Sequence, residues 1–235
     1  MKNRITEEIY RILKLLANKL DGFYLAGGTA LSLFYFHHRE SYDLDFFTKD
    51  FSKLKIEKII ADLSADIKSP IKLIGEQNQK DKAKMLVYEL GIDKEHSLRI
   101  DFVEDFYGLN MPIQKMNDIP VLSKEDIYLK KILTICGSME TIDSLGRKQF
   151  VGGRQDVKDF FDLYFLSSTF MPLSKFALEY CSKIQIESII VWYNKYNREE
   201  IKLSLNDIRT DKKVVFQEME RHFKLEIEQI VKQEL

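Results

Sequence analysis

Apolar residues at Ile5, Ile9, Ile12, Leu15, Leu16 and Leu20 recur every three or four positions, which predicts an amphipathic helix over 5–20. A short apolar run at 23–26 reads as a buried strand. It is followed by a Gly27-Gly28 turn, a helix to about 36 and a second strand at 42–48. Helical periodicity returns over 51–65, and Pro70 closes the connection to a strand at 71–75. Two β-rich runs, 85–90 and 97–103, flank the segment Gly91–His96 and predict an antiparallel hairpin. Residues 1–120 therefore read as a mixed sheet flanked by helices. Beyond Pro120 the pattern changes. Ser123 to Asp126 resembles a capping box opening a helix to about 136. Glycines and serines over 137–153, with Arg147 and Lys148 among them, predict a loop, and 154–168 a further helix. The rest, to residue 235, is helical in period. The expectation is an α/β (α+β) domain over 1–120 followed by an α-helical domain over 121–235.

Composition narrows the class without naming a function. The 235 residues are 45% hydrophobic, and 16 Phe with 11 Tyr argue for packed structure rather than disorder. A formal charge of −1 advertises no global basic field for nucleic acid. The two cysteines, Cys136 and Cys181, have no metal-like spacing and build no disulfide framework. The first ten residues lack the apolar run of a signal peptide, and no stretch approaches a membrane span. These features predict a cytoplasmic protein with no membrane partner.

The candidate chemistry concentrates between Gly27 and Phe47. Residues i and i+2 of a strand share a face, so Asp43 and Asp45 present two carboxylates side by side, with Leu44 and Phe46 turned inward. Two like charges at that distance need a counter-ion to stay ionised, and hard oxygen ligands suit Mg²⁺ or Mn²⁺. A glycine turn opening a helix offers backbone N–H groups to a phosphate, and Thr29 adds a hydroxyl. Together these features point to metal-assisted phosphoryl or nucleotidyl transfer. The same residues also fit a plain turn and a solvated strand face.

Further along, Leu98, Ile100 and Phe102 form a buried face and leave Arg99 and Asp101 together on the other. Asp101 is a candidate third carboxylate, as general base or metal ligand, or else half of a surface ion pair. Lys158, Asp159 and Asp162 are spaced to share a helix face, either as a phosphate-binding and proton-accepting set or as ordinary helix salt bridges. Arg39, in the turn before the carboxylate strand, is placed to reach a phosphate or to lie on the surface. The adjacent His37 and His38 diverge in direction and do not make a zinc pair.

With these residues placed, the chain resembles the AbiEii-type nucleotidyltransferases, a branch of the DNA polymerase β-like superfamily. The Gly-Gly-Thr-Ala-Leu turn is matched by Gly27–Leu31, and the Arg-x-Ser-x-Asp-Leu-Asp-Phe-Phe strand by Arg39, Ser41, Asp43, Leu44, Asp45, Phe46 and Phe47. The helical lysine falls on Lys131, with Lys130 as the register alternative, and the Lys-Asp-x-x-Asp-Leu motif on Lys158, Asp159, Asp162 and Leu163. The resemblance covers about 20–168 and leaves the tail from 170 unassigned. It implies a polymerase β-like nucleotidyltransferase domain with an α-helical C-terminal domain. It further implies phosphate contacts from Gly27, Gly28, Thr29 and Arg39, Mg²⁺ ligands at Asp43 and Asp45, and triphosphate contacts from Lys131 and Lys158, with Asp162 in the nucleotide-binding set. Asp159 is implied as base, and Asp101 is the looser match. Many relatives are toxins paired with an antitoxin, and some add nucleotides to the acceptor end of tRNA. The expected reaction is therefore NMP transfer from an NTP to an RNA, with tRNA as acceptor. Two alternatives remain open: transfer to a protein side chain or an aminoglycoside, and a non-catalytic nucleotide-binding module. Clustering of Lys195, Arg198, Lys202, Arg209, Lys212, Lys213 and Arg221 on one face would favour RNA.

Overall fold

Ile9, Ile12, Leu13 and Leu16 are all buried on one side of the first helix, α1 (Lys2–Leu16), as the spacing predicts. The helix stops four residues short of Leu20 because the Lys19 N–H turns back onto the Leu16 carbonyl at 2.7 Å. Gly22, at φ +77°, then bends the chain into β1 (Phe23–Ala26). The computed structural model describes residues 2–80, 82–93, 96–142, 146 and 148–234. It falls into two compact units, Met1–Ser123 and Lys124–Leu235.

In the first unit, β1 leads directly into α2 (Gly27–Ala30), which continues as a π-helical stretch over Leu31–Phe36. His37, left-handed at φ +49°, ends that stretch. Then come β2 (Asp43–Thr48), α3 (Lys53–Ile67), β3 (Ile71–Gln77), β4 (Met85–Gly91) and β5 (Ser97–Glu104). The β4–β5 hairpin pairs antiparallel from Met85↔Val103 to Gly91↔Ser97, as predicted. A short hairpin of β6 (Gln114–Met116) and β7 (Ile119–Val121) was not legible in the sequence. Asn117 and Asp118, both left-handed, form its two-residue turn. The seven strands run β3-β4-β5-β2-β1-β7-β6, with β2 parallel to β5 and β1 parallel to β7. One face of the sheet carries the core. Phe46 and Phe102 stack at 5.5 Å, and Phe23 meets Phe102 edge-on at 5.3 Å.

The second unit is helical: α4 (Lys124–Cys136), α5 (Val157–Thr169), α6 (Leu173–Tyr180), α7 (Lys183–Lys195), α8 (Arg198–Ser204) and α9 (Phe216–Glu234). Tyr128 of α4 stacks on Phe176 of α6 at 4.0 Å, and Phe160 of α5 packs on Phe223 of α9 at 4.9 Å. The loop expected over 137–153 is instead a two-stranded ribbon, β8 (Gly137–Ile142) with β9 (Lys148–Gly152). Gly137 and Gly152 are paired across its base, both at positive φ, so glycines read as loop markers serve a sheet end. Arg147 lies outside the described residues. Among the described residues no helix is long and apolar enough to cross a membrane.

His222 on α9 places Nε2 at 2.7 Å from the Ser167 hydroxyl, which also accepts the Leu173 N–H at 2.9 Å. Burial lowers the imidazole's pKa from its ordinary value of 6.5, against the opposing charge of Glu226. The folded state therefore binds this proton less readily than the unfolded chain. The neutral ring's contribution is present above the ordinary value and is lost as pH falls below it. Urea midpoints of wild type and His222→Gln at pH 7.5 and 5.5 should show the wild type losing more stability on acidification. Equal losses would contradict the assignment.

Candidate active site

The corner between β1 and β2 is built around a missing side chain. Ala26 and Asp45 are register partners on antiparallel strands, and Gly27 follows at φ +69°. A methyl group on Gly27 would overlap the Asp45 carboxylate, with Cγ only 3.2 Å away. The Asp45 side chain therefore lies in the space that the glycine leaves, beside the start of α2. Substitution there would both strain the backbone and push the carboxylate aside. If Asp45 holds a divalent cation, Gly27→Ala should weaken Mn²⁺ binding at this corner by about 10- to 100-fold, the usual cost of disturbing the support of a metal ligand. Electron paramagnetic resonance titration would measure it, and unchanged affinity would contradict the geometry.

The turn that leads into β2 is held from below. The Thr29 hydroxyl bonds the Asp43 main-chain carbonyl and lies 2.9 Å from the Ser41 hydroxyl. Ser32 donates to the Arg39 carbonyl, and Arg39 is itself buried, with Nη1 on the Glu40 carbonyl at 3.0 Å. Thr29 and Arg39 thus brace the loop that presents Asp43. Gly28 is buried within the first turn of α2.

On β2, Leu44 and Phe46 are wholly buried, Asp43 is exposed and Asp45 is half-buried, as the alternation predicts. The parallel register with β5 sets Asp43 opposite Arg99 and Asp45 opposite Asp101, so all four share one face. Arg99 grips Asp101 with two bonds, Nε to Oδ1 at 2.8 Å and Nη2 to Oδ2 at 2.7 Å. Asp101 is only 6% exposed, which departs from the surface pair that spacing alone allows. Burial raises its pKa, the Arg99 bonds and charge pull it down, and Asp43 pushes it up again. Arg99 is held protonated by its bonds to Asp101 and by the charges of Asp101, Asp43 and Asp45.

Among the described residues, no three His, Cys, Asp or Glu side chains are grouped as a complete metal cage. Asp43 and Asp45 alone still fit Mg²⁺ or Mn²⁺. Such ions keep several waters and take one or two protein carboxylates together with substrate phosphate. The exposure of Asp43 leaves room for those other ligands.

The second unit carries its own charged cluster. Lys131, nearly buried on α4, places Nζ 2.7 Å from Asp159 Oδ1 and 2.7 Å from Asp162 Oδ2 on α5. Arg154 reaches the other Asp159 oxygen, Nε at 2.7 Å and Nη2 at 2.6 Å. Lys158 does not join them. Its backbone N–H bonds the capping carboxylate of Asp156 at 2.8 Å and its side chain is exposed, whereas Asp159 and Asp162 are wholly buried. One residue along a helix turns the side chain by about 100°, which carries Lys158 off the inward face. Lys131, not its neighbour Lys130, makes the inward contacts. The sequence reading places Arg154 at the start of the helix over 154–168 and assigns it no role, whereas α5 begins at Val157 and Arg154 precedes it. Its signal was Gly153, where a methyl group would overlap the Ile135 carbonyl. That close passage lets the Arg154 N–H bond Thr134 O at 2.8 Å.

The family model for the nucleotidyl transferase AbiEii toxin of type IV toxin–antitoxin systems matches residues 11–233. Among solved structures, JHP933 from Helicobacter pylori aligns with a TM-score of 0.56 at 18% identity, covering 97% of this chain and 93% of that one. MenT4, a nucleotidyltransferase toxin from Mycobacterium tuberculosis, aligns with a TM-score of 0.51 at 12% identity, covering 97% and 82%. At those identities the likeness shows a shared fold. A search of curated proteins found no match. With its family model matched over nearly its whole length, the chain belongs to the AbiEii nucleotidyltransferase toxin family.

Proposed function

We propose that this protein transfers a nucleoside monophosphate from an NTP to an RNA acceptor of the tRNA class, with Mg²⁺ or Mn²⁺ as cofactor. The observation that carries the reading is the register of β2 on β5, which sets Asp43 and Asp45 on one open face beside the glycine-opened helix. Asp43 and Asp45 hold the cation. When bound, it neutralises charge on the α-phosphate and aligns the attacking hydroxyl with the leaving pyrophosphate. The first-turn N–H groups at Gly27 and Gly28 face phosphate oxygens, and Thr29 and Arg39 keep that loop in place.

In the second unit, Lys131 and Arg154 are the cations that Asp159 and Asp162 orient, Lys131 buried and Arg154 exposed, while Lys158 is exposed and outside the cluster. Both Asp159 oxygens are engaged by cations. We therefore assign Asp159 to holding those cations, rather than to taking the acceptor's proton. The acceptor hydroxyl bonds the α-phosphorus, its proton passes to water and the α–β phosphate bond breaks. The family name supports a cognate antitoxin, and NTP as substrate supports a cytoplasmic site of action.

The acceptor is tested by incubating the protein with Mg²⁺ and each α-³²P-labelled NTP in turn, with total cellular RNA or total protein present. Label in a tRNA-sized band is the expected result. Label confined to protein would replace RNA by a side-chain acceptor.

A further inference from the structure

On the carboxylate face Arg99 stands out. Its guanidinium is fixed along one edge by the buried Asp101, while about half of the side chain is open to solvent. A guanidinium carries five N–H donors, and the grip on Asp101 uses one from each of two nitrogens. The opposite edge makes no other bond among the described residues. A cation anchored in this way is stiff, so little side-chain freedom is left to lose on binding. Asp101 has both oxygens occupied and is almost wholly buried, a poor position for a group that must exchange a proton with substrate.

We propose that Arg99 is a phosphate-binding residue of the active face and that Asp101 is the residue that orients it. The inference deepens the nucleotidyl-transfer reading and rests on it. The charges of Asp43, Asp45, Asp101 and Arg99 sum to −2, so an anion approaches this face only in company with a divalent cation. Phosphate then meets the cation held by Asp43 and Asp45, and the free guanidinium edge on the neighbouring strand at the register position opposite Asp43. Two sources offer that phosphate: the triphosphate of the NTP and the backbone of the acceptor strand. The chemistry is shared, and the experiment separates them.

Equilibrium binding with Mg²⁺ present is measured for two probes, an α,β-methylene NTP and a single-stranded oligoribonucleotide. Wild type is compared with Arg99→Gln, Arg99→Lys and Asp101→Asn. Arg99→Gln is expected to weaken one probe by about 10- to 100-fold, the worth of charge-assisted bonds. Loss confined to the analogue assigns Arg99 to the triphosphate, and loss confined to the oligonucleotide assigns it to the acceptor backbone. Arg99→Lys should recover part of the affinity and not all of it, because the charge returns without the planar fork. Asp101→Asn should weaken the same probe as Arg99→Gln, and its effect should fall on KM rather than kcat. Mn²⁺ affinity of Arg99→Gln, measured without substrate, should hold or rise, since a positive charge has left the face; a fall would mean that Arg99 serves only to shape the metal site. The proposal is overturned if Arg99→Gln binds both probes like wild type. It is also overturned if Asp101→Asn abolishes kcat at saturating substrate, which would make Asp101 the reacting group. A wild-type protein that transfers no nucleotide at all would instead remove the underlying reading.

Discussion

Asp45→Asn should reduce nucleotidyl transfer by more than about 100-fold while leaving the fold intact. Disturbing a residue that merely supports a metal ligand already costs about 10- to 100-fold, so loss of the proposed ligand itself should cost more. Asparagine keeps the shape of the side chain, which fits the space beside Gly27, and removes only the charge. Asp45 is half-buried at a register position between Ala26 and Asp101, and its backbone pairing does not depend on the carboxylate. Mn²⁺ affinity should fall together with turnover, and the far-UV circular dichroism spectrum should match wild type. Transfer retained within a few-fold would show that the cation, if used, is held elsewhere.

Lys131→Met should destabilise the helical unit by about 3–5 kcal/mol, the usual cost of breaking a buried ion pair from one side. Lys131 is the bridge between Asp159 and Asp162, both wholly buried, and its removal leaves carboxylate charge in a low-dielectric setting. Urea unfolding followed by circular dichroism would measure the loss. Lys131→Met/Asp162→Leu should recover part of it, since exchanging a whole buried pair for apolar groups is often neutral. A loss below about 1 kcal/mol for Lys131→Met would mean that water reaches the cluster. The same variant should impair activity, so stability and turnover need separate measurement.

What the sequence made legible follows from the range of its signals. Strand alternation around Leu44 and Phe46, and around Leu98, Ile100 and Phe102, placed Asp43, Asp45, Arg99 and Asp101 on the side away from the core without any knowledge of the sheet. The parallel pairing that sets Asp45 opposite Asp101 is non-local, joining strands separated by α3, β3 and β4, and no local pattern reports it. Lys158 was grouped with Asp159 and Asp162 because i,i+3 and i,i+4 spacing ignores which arc of the helix is buried. Packing of α5 on α4 decides that, and it chose Asp159 and Asp162. The ribbon of β8 and β9 was hidden by the glycines at its base, since glycine marks both loops and sheet ends. Arg39 and Thr29 were legible as motif residues, whereas their bracing contacts became visible only once the turn was folded.

The central claim is that the carboxylate face carries out nucleotidyl transfer with a divalent cation. Its most direct measurement uses one NTP labelled in two ways, α-³²P and γ-³²P, incubated with total RNA, and Mg²⁺ present or removed by chelation. The account predicts that the α-label enters the acceptor and that the γ-label leaves in pyrophosphate. Both should stop on chelation and in the Asp43→Asn/Asp45→Asn protein. Gamma-label retained in the acceptor would make the reaction a phosphoryl transfer, and α-label transfer unaffected by chelation would contradict the assignment of Asp43 and Asp45.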